Sequence, residues 1–185
     1  SHHLAHAYSA FLPSGMDCAL VLVADASGST ISTDEGRFTE SFTLYLGEGS
    51  TLTPIHSEKV QSHLAGLSTL GFVYEAVSRK AGFVTELNDG LRFPEAGKLM
   101  GLAAYGCDQE NWFPWMTRSE AGLGIRMSAY DIFLEIEALE KRYDDGKGKP
   151  YFRPYLVDLA HKVQTELEKV LCDLVRDALT DTGVK

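Results

Sequence analysis

Two histidines near the beginning of the chain have a spacing that suits metal binding. His2 and His6 are four residues apart, which on an α-helix places both imidazoles on one face, one turn apart. Two nitrogen atoms that converge in this way suit a transition metal such as iron or zinc. His3 projects about 100° away from His2 and is expected to face a substrate or the core. The alternative is a surface histidine pair, and the metalloprotease motif HExxH is absent from the sequence.

A metal centre here needs at least one further ligand. Asp17 and Asp25 are the nearest carboxylates, and both can approach the histidines only through the fold. Asp25 also precedes a run of small residues in which the backbone amides of Ser27, Gly28 and Ser29 are candidate contacts for phosphate oxygens. Asp25 itself can orient a water, a magnesium ion or a ligand hydroxyl. The residues alone favour the alternative, an ordinary hairpin with Gly28 at positive φ.

A second glycine-containing segment lies between residues 95 and 106. Gly97 and Gly101 are four residues apart and permit close approach of a backbone or a ligand. Lys98 can reach a phosphate as a point charge, although the segment differs from the P-loop pattern GxxxxGK[ST]. A tightly packed helix with Lys98 in solvent explains these residues equally well.

The apolar pattern predicts the elements that must position these side chains. Over residues 1–55 the pattern predicts a helix followed by an antiparallel meander. The meander begins with a buried strand, continues with a second strand that pairs with the first, and ends with a third strand. Residues 56–185 are predicted to be mainly helical, within the same single domain fragment. The predicted bounds are His2–Phe11, Cys18–Ala24, Thr30–Thr33 and Phe38–Leu46 in the first part, and Gly66–Ala81, Glu95–Ala104 and Tyr155–Thr180 in the second. Asp144–Lys149 is expected to be a solvated loop.

Composition limits the classes of function. The 185 residues are 44% hydrophobic and 23% charged, as in an ordinary globular domain. A net charge of −9 argues against broad, sequence-independent binding of nucleic acid, which needs clustered cations. The cysteines Cys18, Cys107 and Cys172 form no CxxC pair, so a reducing compartment, the cytoplasm, is expected. The longest apolar run, Ala19–Ala24, is too short to span a bilayer.

Three blocks of the sequence resemble the O-carbamoyltransferases that modify nodulation factors and antibiotics. The first contains the helix with His2 and His6 and continues through the strand that ends in Asp25. The second runs from Gly66 to Phe83, and the third is Gly97–Gly106. The blocks occur in the order found in that family and cover most of residues 2–106, which makes the resemblance more specific than any single motif.

The resemblance implies an actin-like ATPase fold, similar to the universal protein that transfers threonylcarbamoyl to tRNA. It implies that His2 and His6 bind a metal, usually iron. A separate C-terminal domain of this family makes carbamoyl-adenylate from carbamoyl phosphate and ATP. The metal domain then transfers the carbamoyl group to a substrate hydroxyl, with the metal polarising the carbamoyl carbonyl.

We therefore expect an α/β fold, a partial actin-like ATPase domain with a mixed sheet flanked by helices. Both ends are expected to continue into further parts of the same chain. The expected roles are metal binding for His2 and His6, catalysis for His3 and Asp25, and nucleotide binding for Ser27, Gly28, Ser29, Gly97, Lys98 and Gly101.

The expected cofactors are Fe(II) or another divalent metal and ATP with magnesium, with carbamoyl phosphate as donor. The expected partner is a small-molecule acceptor with a hydroxyl, a natural product or a sugar, rather than nucleic acid or a membrane; a homodimer is left open. Two other functions stay open. One is a nucleotide-binding module of the same fold without transfer chemistry. The other is a metal-dependent hydrolase, which requires a third ligand inside this chain.

Overall fold

The chain folds as a mixture of helices and small antiparallel sheets. A computed structural model describes residues 1–64, 69–88, 90–109, 112–120, 122–143 and 153–184. The elements in chain order are α1 (His2–Phe11), a 3-10 turn (Leu12–Ser14), β1 (Cys18–Ala24), β2 (Thr30–Thr33), β3 (Gly36–Glu48), β4 (Thr51–Gln61), a second 3-10 turn (Ser62–Leu64), α2 (Leu70–Lys80), β5 (Val84–Glu86), β6 (Arg92–Pro94), α3 (Ala96–Ala103), β7 (Met116–Arg118), β8 (Ile125–Met127), α4 (Ala129–Tyr143) and α5 (Pro154–Thr182). None of the helices in these ranges is long and apolar enough to cross a membrane.

The described residues form two compact units. The first contains Ser1–Phe72, Arg118–Arg126 and Val170–Lys185, and the second contains Val73–Thr117 and Met127–Lys169. The first unit holds the four-stranded sheet made by β1 to β4. The second unit is built mainly from helices.

The long strand β3 is the centre of the four-stranded sheet. It pairs antiparallel with β1 and with β2 along one edge and with β4 along the other. The expectation of a mixed sheet is therefore wrong for the strands of this sheet, which are all antiparallel. The expectation that β2 pairs with β1 is also wrong, because β1 and β2 follow one another along the same edge of β3.

A break between β1 and β2 separates these two strands. Ala24 is opposite Phe42 and Thr30 is opposite Thr39, so residues 25–29 face only residues 40 and 41. The five residues 25–29 are too many to pair with two, so this segment must leave the plane of the sheet, as in an extended β-bulge. The chain reverses later, at the hairpin in which Thr33 pairs with Gly36.

Helix α1 packs against one face of this sheet. Ala7 and Phe11 are buried against Val23, Tyr45 and Leu52. The ring of Phe11 lies so close to the backbone of Gly47 that a Cβ added at Gly47 would be 2.6 Å from it, so only glycine fits opposite this ring. Burial of these apolar side chains fixes the position of α1, and therefore of the histidines at its beginning.

Buried aliphatic side chains from three helices form the core of the second unit. Leu99 of α3, Ile132 and Ile136 of α4, and Leu156 and Leu159 of α5 are at most 1% exposed. The long amphipathic pattern of the last helix predicts α5 closely. Helix α4 has no counterpart among the predicted elements. The loop expected at residues 144–149, and the part of the predicted helix that covers residues 66–68, lie outside the described residues.

Candidate metal centre

The N-terminus of α1 is held by two serines. Ser1 caps the helix, since its hydroxyl accepts a hydrogen bond from the backbone N–H of Leu4 at 3.3 Å. The backbone N–H of His2 donates to Oγ of Ser29 at 2.8 Å. Ser29 belongs to the break between β1 and β2, so this bond joins the helix that carries the histidines to the segment that carries Asp25.

Three potential ligand atoms converge at this end of α1. Nε2 of His6 is 3.1 Å from Nε2 of His2, which is 2.6 Å from Oδ2 of Asp25. The ligand atoms of the three residues all lie within 4.8 Å of one another. Metal–ligand bonds of about 2.1 Å at tetrahedral or octahedral angles place neighbouring ligand atoms roughly 3.0–3.4 Å apart. The separation of the two histidine nitrogens falls in that range. The 2.6 Å between His2 and Asp25 is that of a hydrogen bond, which a metal ion would have to replace, so the three side chains are a candidate ligand set.

The three side chains are open to solvent on one side. His2 and Asp25 keep 47% and 28% of their side-chain surface exposed, and His6 is also exposed. Two imidazoles and one carboxylate with open positions are the ligand set of many iron(II) sites, and zinc accepts the same donors. Such a site can hold a metal and also admit a second molecule to it.

The side chain of His3 is buried beneath the three converging residues. It is 0% exposed. Its Nδ1 is 2.8 Å from Oγ1 of Thr43 and its Nε2 is 3.2 Å from Oδ1 of Asp25. Asp25 therefore presents Oδ2 to His2 while Oδ1 is held by His3. His3 was expected to face either a substrate or the core, and the structure places it in the core. From there its imidazole orients the carboxylate of Asp25.

Gly28 fits in the narrow space between His3 and Glu40. A Cβ at this position would lie 2.6 Å from Nε2 of His3 and 2.7 Å from Cβ of Glu40. The alternative of an ordinary hairpin with Gly28 at positive φ is wrong. The chain does not reverse at this segment, because β1 and β2 both pair with β3, and Gly28 does not have a positive φ. The glycine is needed because no side chain can be accommodated there.

Two of the three expected phosphate contacts in this segment are already occupied. The N–H of Gly28 donates to the carbonyl of Glu40 at 2.8 Å, and the N–H of Ser29 donates to Oε2 of Glu40 at 3.0 Å. In this conformation neither amide is available to a phosphate, which corrects the expectation for Gly28 and Ser29. Ser27 is exposed, and its hydroxyl is still available.

Sequence reasoning missed Glu40 and Thr43. Both side chains point to the α1 face, although they are an odd number of residues apart, because a register shift occurs at Ser41. A hydroxyl or carboxyl in a half-buried strand is a weak signal for such a role. The register shift that brings both residues to one face has no signature in this sequence that we can name.

The remaining predicted nucleotide contacts lie on α3 in the second unit. Nζ of Lys98 is 2.7 Å from Oε2 of Glu95, and this hydrogen bond lowers the pKa of the Glu95 carboxyl. Added Cβ atoms at Gly97 and Gly101 would meet nothing within 4 Å. The alternative of a helix that needs these glycines for close packing is therefore wrong within the described chain, and this surface of α3 is open.

No family model matches this chain, and the known proteins similar to it include the two that follow. An uncharacterized protein of Synechocystis sp., sll1178, is 29% identical over 196 aligned residues, which cover 100% of this chain and 28% of that protein. Nodulation protein NolNO of Sinorhizobium fredii is 27% identical over 191 aligned residues, which cover 100% of this chain and 24% of that protein. The chain thus spans about a quarter of the length of the curated relatives it matches. Its similarity to a nodulation protein runs along its whole length.

Proposed function

We propose that this chain is the metal-binding part of an ATP-dependent O-carbamoyltransferase with an actin-like ATPase fold. The carbamoyl group would pass from carbamoyl phosphate, through carbamoyl-adenylate, to a hydroxyl of a small natural product or sugar. The observation that carries the proposal is the convergence of His2, His6 and Asp25 at one end of α1. The whole-chain similarity to a nodulation protein supports it, since the resembling blocks belong to enzymes that modify nodulation factors.

In this proposal His2, His6 and Asp25 hold a divalent metal such as Fe(II). When bound, the metal supplies Lewis acidity that polarises the carbamoyl carbonyl. The two imidazoles are held one helical turn apart by α1, so their separation does not depend on a flexible loop. Because the three side chains are partly exposed, the carbamoyl donor and the acceptor hydroxyl can approach from the solvent side.

His3 acts as a positioning residue in this proposal. Its ring holds Oδ1 of Asp25 from the buried side, and Thr43 fixes the ring in turn. Partners of this kind orient ligands and typically change metal affinity by about 10–100-fold when removed. Asp25 therefore presents one defined oxygen to the metal.

In the second unit, the candidate nucleotide contacts of the proposal are Lys98 and the open surface around Gly97 and Gly101. Ser27 of the first unit is a separate candidate contact for a phosphate. Lys98 would exchange its ion pair with Glu95 for a phosphate. This exchange costs little, because the lysine side chain is 60% exposed and solvent screens an exposed ion pair of this kind. Gly97 and Gly101 leave room for a ligand or a further part of the chain to lie directly against the helix backbone.

A metal-dependent hydrolase is the second candidate, and a specific observation favours it. That function requires a third ligand inside this chain, and Asp25 satisfies the requirement. Both functions use the same metal centre. They differ in the acceptor, which is a water molecule in the hydrolase and an organic hydroxyl in the transferase.

The test measures metal content by mass spectrometry and carbamoyl transfer on the same samples of the full-length protein. The variants are His2→Ala/His6→Ala and Asp25→Ala, and the control His56→Ala removes an imidazole elsewhere in the first unit. We expect both site variants to lose metal and transfer while staying folded, and the control to keep both. Wild-type protein that binds metal but releases carbamate without modifying any hydroxyl would favour the hydrolase. Metal and transfer that survive in both site variants would contradict the assignment.

A further inference from the structure

A polar pocket lies on the sheet face opposite α1. It has a volume of 550 Å³ and is lined by Thr30, Arg37, Thr39, Ser62 and His63. The register shift at Ser41 places Glu40 and Thr43 on the α1 face and Thr39 on the other face. The pocket is therefore separated from the candidate metal centre by the thickness of the sheet.

Every side chain that lines the pocket can donate a hydrogen bond, and none is acidic. This is unusual for a chain with 26 acidic and 17 basic residues. Within the described part of the chain, the side chains of Arg37 and His63 have no hydrogen-bond or ion-pair partner. A guanidinium and an imidazole thus face the pocket with their donors available.

The hydroxyls of the pocket form a directed chain. Oγ1 of Thr39 donates to Oγ of Ser62 at 3.1 Å, and Oγ1 of Thr30 is 3.4 Å from Oγ1 of Thr39. Because Thr39 donates to Ser62, Thr30 is the donor wherever its longer contact with Thr39 forms a hydrogen bond. Ser62 therefore keeps its own hydrogen for another acceptor. Thr39 is 4% exposed, which fixes the chain in place at the bottom of the pocket.

We propose that this pocket binds a phosphate group, either as the free anion or as a phosphate monoester. A guanidinium binds two oxygens of a tetrahedral oxyanion through parallel N–H groups. The hydroxyl of Ser62 and the imidazole of His63 supply donors for other oxygens. The volume is in the range of sites that hold small organic ligands, so an ester fits as well as the free ion. This site is independent of the proposed metal chemistry.

The experiment is a titration of the full-length protein with inorganic phosphate, followed by amide chemical shifts. We expect saturable shifts around Thr30, Thr39 and Ser62 in the millimolar range. Arg37→Gln should weaken binding by roughly tenfold or more, because a charged bidentate contact is lost. Arg37→Lys keeps the positive charge and loses the two parallel N–H donors of the guanidinium, so its affinity for phosphate should lie between those of the wild type and Arg37→Gln.

The matched control is Arg126→Gln, which makes the same change of charge in the first unit outside the pocket. It should leave phosphate binding unchanged. An equal loss in Arg126→Gln and Arg37→Gln would mean that net charge attracts the anion, and an absence of saturable shifts in folded wild-type protein would mean that no site exists. Either result overturns the proposal. A parallel titration with phenyl phosphate separates the two sources: tighter binding than inorganic phosphate indicates an ester, and equal or weaker binding indicates the free anion.

Discussion

The substitution Gly28→Ala tests the packing that supports the candidate metal centre. The new methyl group would lie 2.6 Å from Nε2 and 2.8 Å from Cδ2 of His3, and 2.7 Å from Cβ of Glu40. Ordinary contacts between such atoms are about 3.5–4.0 Å, so the surroundings must open by roughly 1 Å. Neither neighbour can retreat easily, because His3 is fully buried and Glu40 is held by the backbone of the same segment.

The expected loss of stability follows from two opposing effects. Inserting a methylene-sized group into a packed interior costs about 1–3 kcal/mol. Replacing glycine by alanine also reduces the entropy of the unfolded chain, which offsets about 0.4–1 kcal/mol. We therefore expect the free energy of unfolding to fall by about 1–2 kcal/mol. Displacement of His3 should also release Asp25 and weaken metal binding by about 10-fold or more.

The assay is urea unfolding together with a metal titration, and Gly101→Ala is the matched control. That substitution adds the same methyl group where nothing lies within 4 Å. Within helix α3 it should stabilise the protein by about 0.5–1 kcal/mol and leave metal affinity unchanged. The reasoning is refuted if Gly28→Ala matches the wild type in both measurements, or if the two alanine variants change stability in the same direction.

Three further predictions concern titratable groups in the second unit. The negative charge of Asp158 raises the pKa of the Cys107 thiol, so Asp158→Asn should speed alkylation of Cys107 at neutral pH. Mass spectrometry measures the rate, with Cys18 of the same molecule as reference, and an unchanged rate for Cys107 would contradict the prediction. Lys162 is 4% exposed and its ammonium is paired with Glu166, so Glu166→Ala should lower the free energy of unfolding by about 3 kcal/mol, and Glu166→Gln by less. Equal effects of these two variants would mean that the lost charge, and not the lost hydrogen bond, causes the whole change; a Glu166→Ala protein as stable as the wild type would contradict the prediction. Burial raises the pKa of the Glu135 carboxyl in the folded protein. Between the ordinary pKa of glutamate and this raised pKa, the folded protein binds a proton that the unfolded chain has lost. The free energy of unfolding should therefore fall as the pH rises through this interval. Glu135→Gln should remove this slope from a series of urea unfolding curves at acidic pH, and an identical slope in both proteins would refute the assignment.

Local patterns in the sequence predict several elements closely. Helix α1, strand β1 and helix α5 have strong apolar patterns, and their observed bounds agree with the prediction to within two residues. Helix α4 was missed although Ile132 and Ile136 have helical spacing and are buried. That signal is short and is surrounded by charged residues. The pairing of β2 was wrong because two strands along one edge leave the same local pattern as a hairpin.

The candidate metal centre was predictable only in part. The helical spacing of His2 and His6 identifies the pair, and Asp25 was a candidate only because a fold can bring it close. The roles of Thr43 and Glu40 depend on the register of β3 against its neighbours. Register is set by packing of the whole sheet, so the sequence around these residues does not reveal it.

The position of the candidate site within the first 43 residues has a consequence for how the site forms during folding. The residues that build it lie between positions 1 and 43, and its most distant hydrogen bond joins His3 to Thr43 across 40 positions. The entropy of closing a loop grows only slowly with its length, so a separation of 40 positions adds little to the cost of bringing His3 and Thr43 together. The first helix and the strands that follow it thus contain every side chain that converges at the site. Metal binding and folding of the segment that holds the ligands are thermodynamically linked. We therefore expect a metal added during refolding to stabilise this folded N-terminal segment before the helices of the second unit are complete.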